Sequence, residues 1–548
     1  MSENRNIARA AGLVGVLTLV SRVGGLIRDA VVGYFFGTGP AADAFFVAFR
    51  VPNLLRRFVA EGAMSVAFIP VFSDYLAKRG EAETVRAARS VATVMALVLA
   101  LLTVAGALCA PIFVRLFAPG FVGEPTKFAL TVALTRRVFP YLFFIGMVAL
   151  AGGLLNAYRH FAAPAMSSIF LNLAIIAAVI VLCPRLPQPV YGLAYGVLVG
   201  GALQLLVQIP PLLARGVVLW PRWEPRHPAI GRSLWLLAPT VAGAAMYQIN
   251  VMVNTALASV LPGGSVSYLW YADRVFEFPL GLFAAALGTA ALPSFATQAA
   301  RGAYGELRDS VGFAIRLTNF IAAPAMVGIL SLATPIVTVL FQRGAFGHAE
   351  VALTAQALAA FTVGLWSLSI VRILVPAFYA MNDTRTPVLT AAASFVTNMC
   401  CSLMFMGPVP VRGESVLADG IAKLATVLTV VNLRHAGLAL ATSVAATVNL
   451  VLLLLVLRQR LDGLGVVPLL SSLGRSLVAA LAMVVPVRWL AGCVDWTEPG
   501  QIALKSGVLL AAVCLGMVVF CAVAYLLGEE DVRRLSRFLR ERLQSSGE

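Results

Sequence analysis

The chain has 548 residues, of which 60% are hydrophobic and 12% are charged, and its mean hydropathy is +0.89. A soluble protein of this length cannot bury so large an apolar fraction, so lipid must replace water as its main solvent. The net charge of +16 is concentrated in short loops and in the C-terminal tail. That pattern is typical of cytoplasmic loops, and no nucleic-acid recognition motif accompanies it, so no nucleic-acid partner is expected.

Apolar runs of membrane-spanning length recur from residue 11 to residue 527, separated by Gly, Pro or basic residues. This pattern predicts an all-α integral membrane protein with about fourteen transmembrane helices. The predicted spans are 11–36, 41–74, 85–117, 127–157, 163–183, 190–213, 232–260, 267–298, 310–341, 352–380, 387–407, 436–457, 470–491 and 503–527.

Basic residues are concentrated after the even-numbered spans. Lys78 and Arg79 follow the second span, for example, and Arg458 and Arg460 follow the twelfth. Because basic loops are retained in the cytoplasm, this parity predicts that both termini are cytoplasmic.

Segments of the first half recur in the second. Residues 192–204 resemble 437–449, and residues 68–80 resemble 291–302. The pairs align spans 1–6 with spans 7–12, and an even number of spans per half predicts a parallel repeat. The predicted domains are a six-helix lobe at 1–225, a second at 226–460, two additional helices at 461–527 and a basic cytoplasmic tail at 528–548. Two such lobes favour a transporter with a central substrate cavity, although a duplicated scaffold is an alternative.

Several charged residues lie inside the apolar spans. Each costs about 2.5–3.5 kcal/mol at the centre of a membrane helix, so together they are expected to face water or to be paired. They are Arg22, Arg28 and Asp29 in the first span, Asp43, Arg50 and Arg57 at seven-residue steps in the second, Asp273, Arg274 and Glu277 in the eighth, and Arg372 in the tenth. The alternatives are that some arginines extend to the membrane surface and that Arg28 and Asp29 form a packing pair.

The sequence contains no catalytic constellation. The seven cysteines and four histidines show no metal or redox spacing, and no phosphate-binding loop or nucleophile motif is present. Arginine suits recognition of phosphate or carboxylate. These features predict a transporter of an anionic molecule rather than an enzyme, with no cofactor.

The chain resembles the MurJ/MviN family of lipid II flippases over nearly its whole length. In the first two spans the matching blocks are Ser21-Arg22, Arg28-Asp29, Asp43-Ala-Phe-Phe-Val-Ala-Phe, Pro52-Asn53-Leu-Leu-Arg56-Arg57 and Ala60-Glu61-Gly62-Ala63. Later blocks are Tyr271-Ala-Asp273-Arg274, Glu277-Phe-Pro279 and Phe378-Tyr-Ala-Met-Asn-Asp383-Thr-Arg-Thr-Pro387. The resemblance implies membership of the multidrug/oligosaccharidyl-lipid/polysaccharide exporter superfamily. It also implies alternating-access export of undecaprenyl-diphosphate-linked peptidoglycan precursor across the bacterial cytoplasmic (inner) membrane.

The resemblance further implies which residues bind the substrate. By motif position these are Arg22, Arg28, Asp29, Arg56 and Arg274. The residues expected to support the cavity are Asp43, Arg50, Arg57, Glu61, Asp273, Glu277 and Arg372. The two C-terminal helices would form a groove for the lipid tail. The implied partners are lipid II, membrane lipids and other cell-wall synthesis proteins.

Two features depart from the family pattern. Some members are thought to bind sodium through acidic residues on the seventh and eleventh helices. The matching positions here are neutral: Asn254, Asn398 and Ser402, with Thr442 on the twelfth helix. The connection between the eleventh and twelfth spans, residues 411–433, is longer than in the family pattern. It is expected to form an amphipathic segment on the outer surface.

Two other functions remain open on the sequence alone. One is export of a drug or of another polyprenyl-linked glycan by a member of the same superfamily. The other is a membrane scaffold, in which the cavity would be dry and the arginines fully paired. The driving force also remains open between the membrane potential, a proton and sodium.

Overall fold

Helices form the framework of the computed structural model, which describes residues 2–56, 67–461, 463 and 465–528, without the side chains of 2–11, 55–56, 238–247, 285 and 466. Contacts divide the chain into two compact units. Unit 1 comprises Met1–Ser267 and Val409–Lys423, and unit 2 comprises Tyr268–Pro408 and Leu424–Glu548.

Among the described residues, ten helices of unit 1 lie in the first half of the chain. They are α1 (Ser2–Phe36), α2 (Pro40–Arg56), α3 (Ile69–Leu108), α4 (Ala110–Phe117), α5 (Pro125–Val138), α6 (Tyr141–Ala157), α7 (Ala162–Ala177), α8 (Tyr191–Leu206), α9 (Ile209–Leu213) and α10 (Pro228–Ser259). A short 3-10 helix, Pro119–Gly123, links α4 to α5, and a short π-helix, Ala178–Leu182, extends α7.

The first helix of the second half begins at Ser265, so the division between the units after Ser267 falls within its first turn. The remaining helices are α11 (Ser265–Pro279), α12 (Ala285–Ala300), α13 (Tyr304–Phe341), α14 (His348–Thr362), α15 (Leu365–Ala380), α16 (Arg385–Phe405), α17 (Val416–Leu428), α18 (His435–Arg460), α19 (Val466–Ala482), α20 (Val484–Ala491) and α21 (Ile502–Leu526). A short π-helix, Leu280–Ala284, joins α11 to α12. It begins directly after Pro279, whose ring removes a backbone hydrogen-bond donor.

Ten helical segments of the described residues are long and apolar enough to cross a membrane. The number is eleven if α14 and α15, which are bent by 44° relative to each other, form one span. The prediction of an all-helical, multi-span membrane protein is therefore confirmed. The number of fourteen stays a prediction, although each predicted span overlaps a helix or consecutive helices.

The connection between the second and third predicted spans is helical rather than a loop. Within α3 the helical geometry is interrupted at Gly80, where φ is +82°, a conformation that favours glycine. The hydroxyl of Thr84 donates to the carbonyl of Gly80 at 2.7 Å and stabilises the helical turn that follows the interruption. Ala, Glu and Arg, which favour helices, dominate residues 81–89, so the chain stays helical despite its charge.

Helix α10, the seventh predicted span, packs against α3 and α4 within unit 1. Met252 of α10 joins a buried cluster with Val51, Leu99, Phe139 and Leu142. The contact-based units therefore separate after Ser267, whereas the repeat-based lobes separate at residue 225. The lobes, which follow sequence similarity rather than contacts, stay a prediction.

In unit 2 the C-terminal helices pack on α13. Ala323 and Val327 of α13 share a buried cluster with Met483, between α19 and α20, with Val487 of α20 and with Phe520 of α21. A second cluster joins α13 to α12, α15 and α18. The predicted basic tail lies outside the described residues from residue 529 onward.

Candidate functional site

Arg28 and Asp29 form a buried ion pair on α1. The Nε and Nη2 atoms of Arg28 donate to Oδ1 and Oδ2 of Asp29 at 2.9 and 3.0 Å. The two side chains are 12% and 3% exposed. The predicted partnership of these neighbours is thus present, in a geometry that neutralises both charges inside an apolar helix.

Asn172 of α7 joins this pair and was missed by the sequence analysis. Its Oδ1 accepts from Nη1 of Arg28 at 3.1 Å, and its Nδ2 donates to the backbone carbonyl of Ser21 at 3.0 Å. A Cβ on Gly24 would lie 3.5 Å from that Nδ2, an ordinary van der Waals distance, so α7 packs directly against α1 at this position. An amide in an otherwise apolar run was the available sequence signal, because polar groups in membrane helices usually have a specific partner.

Arg22 lies on the same helix, almost two turns before Arg28. Its side chain is partly exposed, and it makes no hydrogen bond or ion pair with other described residues. Arg28 uses three of its five N–H donors on Asp29 and Asn172, whereas Arg22 retains all of its donors for another group.

Asp43, the first of the charged residues predicted on α2, has a structural role. Asp43 is buried, and its carboxylate binds the Nζ of Lys127 at 2.9 Å. It also accepts from the backbone of Gly264 and from the hydroxyl of Ser267, at 2.9 and 2.6 Å. Asp43 thus anchors the start of α11, which corrects the expectation that it supports a water-filled cavity.

Arg50 lies on the same side of α2 as Asp43. Its Nη1 donates to the hydroxyl of Thr255 on α10. Residues seven positions apart in a helix, such as Asp43 and Arg50, fall on one face by helical periodicity. The side chain of Arg56, and all of Arg57 and Glu61, lie outside the described residues.

Arg274 in α11 is the cation that the sequence predicts for the second half of the chain. Its Nη1 lies 3.3 Å from Oε2 of Glu277, one helical turn later, and its guanidinium lies 4.5 Å from the ring centre of Trp270. The carboxylate and the ring together fix the arginine on one face of α11. Asp273 is partly exposed beside it.

Arg372 lies in α15 within the same unit. A Cβ on Gly288 of α12 would come within 2.6 Å of the backbone carbonyl of Arg372. The glycine therefore allows α12 and α15 to approach closely at this point. The side chain of Arg372 is partly exposed.

The neutral positions of the suggested sodium site lie in different helices. In unit 2, Asn398 and Ser402 of α16 are buried, and the hydroxyl of Thr442 of α18 donates to Oδ1 of Asn398 at 3.2 Å. Asn254 lies on α10 of unit 1. This donor set offers only neutral oxygens, and one of them already accepts a hydrogen bond. Its chemistry does not fit a carboxylate-based sodium site.

Residues 32–498 match the family model described as lipid II flippase MurJ. A relative from Burkholderia cenocepacia, named lipid II flippase MurJ, is 37% identical over 94% of this chain and 97% of its own length.

Two solved structures share the fold. One is described as lipid II flippase MurJ in an inward closed conformation; it is 24% identical, covers 93% of this chain and 98% of its own, and has a TM-score of 0.73. The other, an inward-facing multidrug resistance MATE family transporter of the MOP superfamily, is 14% identical, covers 82% of this chain and 98% of its own, and has a TM-score of 0.63. From the family model and the Burkholderia relative, we conclude that this chain belongs to the lipid II flippase MurJ family.

Proposed function

We propose that the protein moves lipid II, the undecaprenyl-diphosphate-linked peptidoglycan precursor, from the inner to the outer leaflet of the bacterial cytoplasmic membrane. Transport proceeds by alternating access and involves no chemical conversion of the substrate. Family membership supports the substrate. The observation that carries the proposal is the orientation of Arg28 by two partners inside apolar helices.

The hydrogen bonds of Arg28 leave capacity for a phosphate. A guanidinium has five N–H donors. Asp29 and Asn172 engage Nε, Nη1 and Nη2 through one hydrogen each. A second hydrogen on each terminal nitrogen can therefore be donated to two oxygens of one diphosphate, which is the bidentate geometry that arginine favours.

Asp29 limits the cost of holding this arginine in the membrane when no substrate is bound. A lone charge at the centre of a membrane helix costs about 2.5–3.5 kcal/mol, and pairing offsets part of that cost. A diphosphate that approaches Arg28 replaces some of the attraction of Asp29. Arg28 is then paired in both states, with Asp29 before binding and with the diphosphate after it.

We assign substrate binding to Arg22, Arg28, Asp29, Arg56 and Arg274, in which Asp29 acts as the partner of Arg28. Arg50, Arg57, Glu61, Asp273, Glu277 and Arg372 would support these residues. The carrier requires neither a metal nor a cofactor in this scheme.

The topology completes the proposal. Both termini lie in the cytoplasm, the repeat-based lobes 1–225 and 226–460 alternate access, and helices of 461–527 form a groove for the lipid tail. The exposed apolar residues of α19 and α21, such as Leu470 and Leu510, support a lipid-facing role for this region. Other cell-wall synthesis proteins are the expected partners.

Complementation of a flippase-depleted bacterium tests the proposal. We expect Arg28→Ala and Arg274→Ala each to abolish growth, although the variant proteins reach normal abundance in the membrane. We expect Arg28→Lys to retain the charge but to lose bidentate binding of the phosphate. Arg488→Ala, which removes an exposed arginine of α20, is the matched control. Growth supported by both Arg28→Ala and Arg274→Ala would overturn the assigned roles.

A binding assay on the purified protein tests the substrate itself. We expect lipid II to bind more tightly than an undecaprenyl-linked O-antigen unit, and Arg28→Ala to remove that preference. Equal or stronger binding of the O-antigen unit would identify a different polyprenyl-linked substrate.

A further inference from the structure

The segment between α16 and α18 exposes an unusual apolar stretch. Residues 423–434, here called the interfacial stretch, include the end of α17 and the return to α18. Leu424 is 54% exposed, Val427 81% and Val430 67%. Such exposure is expected on lipid-facing helices, but α17 has only 13 residues and cannot span a membrane.

Backbone hydrogen bonds hold the interfacial stretch at the end of a long apolar helix. The N–H groups of Val430 and Val431 both donate to the carbonyl of Met404, at 2.9 and 3.2 Å. The N–H of Leu433 donates to the carbonyl of Phe405, the last residue of α16, at 2.9 Å. Since α16 is a candidate membrane span, the stretch lies at the level where this span leaves the membrane.

The orientation of α17 directs the apolar side chains outward. Ala422 and Ala425, three residues apart on the helix, are buried. Leu424, Val427 and Leu428 lie on the other side and are exposed. Because the small residues face the protein, the larger aliphatic residues have no cover among the described residues.

The charges around the stretch suit a phosphate-bearing surface. Lys423 and Arg434 delimit it, both are exposed, and neither makes an ion pair with other described residues. No acidic residue occurs between Gly420 and Arg434. Asp419, the nearest acid before the stretch, accepts hydrogen bonds from the backbone N–H groups of Arg412 and Gly413. Cations beside an apolar face are typical of helices that lie on membranes.

We propose that residues 423–434 insert into the boundary between lipid headgroups and acyl chains, at the membrane surface where α16 ends. The aliphatic residues enter the acyl region, and Lys423 and Arg434 contact lipid phosphates. The residues 411–434 contain no Trp, Tyr or Phe, the aromatic residues that dominate protein–protein hot spots, so a bilayer fits this surface better than a protein partner. The anchor is independent of the transported substrate.

Fluorescence quenching in the full-length protein tests the insertion. Val427→Cys is introduced into a chain whose seven native cysteines are replaced by alanine, labelled with a fluorophore and reconstituted into liposomes containing brominated phospholipid. We expect strong quenching by the lipid-borne bromine and little quenching by aqueous iodide. Val430→Cys provides an independent second probe, and Glu498→Cys, in an exposed loop, is the control and should show the reverse.

Two results would overturn the proposal. Quenching of both probes by iodide alone would place the stretch in water. Protection from both quenchers would mean that protein, such as a second copy of the chain, covers it.

The contribution of the cations is tested separately in the labelled Val427→Cys protein. We expect phosphatidylglycerol in the vesicles to increase bromine quenching relative to phosphatidylcholine alone. Lys423→Gln combined with Arg434→Gln should remove that increase, whereas Arg412→Gln, nearer the start of the segment, should preserve it. An increase that survives the double substitution would contradict the phosphate contacts.

Discussion

Arg28 and Asn172 are separated by 144 positions in the sequence, yet Nη1 of the arginine lies 3.1 Å from Oδ1 of the amide. The same amide holds the carbonyl of Ser21 through its Nδ2. Asn172 therefore connects α7 both to the backbone of α1 and to the side chain that we assign to diphosphate binding. Its role is to position Arg28, since it reaches the substrate only through the arginine.

Asn172→Ala should weaken lipid II binding about 10- to 100-fold, because a hydrogen bond to a charged group contributes about 1.5–3 kcal/mol. Asn172→Asp keeps an acceptor for Arg28 but loses the donor to Ser21 and adds a negative charge, so it should not restore the affinity. Equilibrium binding of lipid II to the purified variants measures the effect. The control is Ser167→Ala, also buried on α7, whose hydroxyl donates within its own helix to Pro164. Normal binding by Asn172→Ala would rule out the positioning role.

The buried pair of Asp43 and Lys127 should be sensitive to removal of one partner. Lys127→Met leaves the carboxylate buried without its cation and should lower the free energy of unfolding by about 3–5 kcal/mol. Asp43→Asn combined with Lys127→Met should recover stability, because neither charge is then buried alone. Lys78→Met removes an exposed partner of Asp74 and should cost at most about 1 kcal/mol.

Apparent midpoints of thermal unfolding in detergent compare these three proteins. The buried-pair interpretation fails if the double variant is less stable than Lys127→Met, or if Lys78→Met is equally damaging.

The sequence predicted the features that depend on local pattern and failed on those that depend on distant contacts. Hydropathy located the helices because each span must satisfy its own backbone in lipid. The Arg28–Asp29 pair was predictable because its members are adjacent. By contrast, Asp43 was expected to face a cavity. Its actual partners are distant in the sequence: Lys127 lies 84 residues later and Ser267 lies 224 residues later, so no local pattern indicates them. Asn172 was overlooked for the same reason.

Gly120 should tolerate no side chain. A Cβ at this position would lie 2.1 Å from the backbone carbonyl oxygen of Ser259, and a carbonyl cannot move aside as a flexible side chain can. Gly120→Ala should therefore destabilise the protein by about 1–3 kcal/mol. Gly263→Ala, whose Cβ would meet nothing within 4 Å, should be nearly neutral. Unfolding midpoints in detergent test this, and equal midpoints for the two variants would refute the steric argument.

Glu224 should make stability depend on pH. It lies in the loop after α9, where Arg86 and Arg222 donate to its carboxylate at 3.1 and 2.7 Å and lower its pKa from 4.5 to about 2. Because the folded pKa is the lower one, the stabilisation is fully present above about pH 4.5 and is lost as the pH falls towards 2.

Unfolding midpoints of wild type and Glu224→Gln, measured from pH 7 to pH 2, should therefore differ at pH 7 and converge at the acid end. Asp309→Asn, at an exposed acid, should show a smaller difference at pH 7. A difference for Glu224→Gln that persists unchanged at pH 2 would contradict the assignment.

Trp270 should influence substrate binding through Arg274. The ring centre lies 4.5 Å from the guanidinium, and removal of such a contact costs about 0.5–2 kcal/mol. Trp270→Leu should therefore weaken lipid II binding roughly 2- to 30-fold, while Trp270→Phe keeps an aromatic face and most of the affinity. Trp489→Leu, on an exposed part of α20, is the control and should bind normally. Equal losses for the Leu and Phe variants of Trp270 would show that bulk, rather than the aromatic face, holds Arg274 in place.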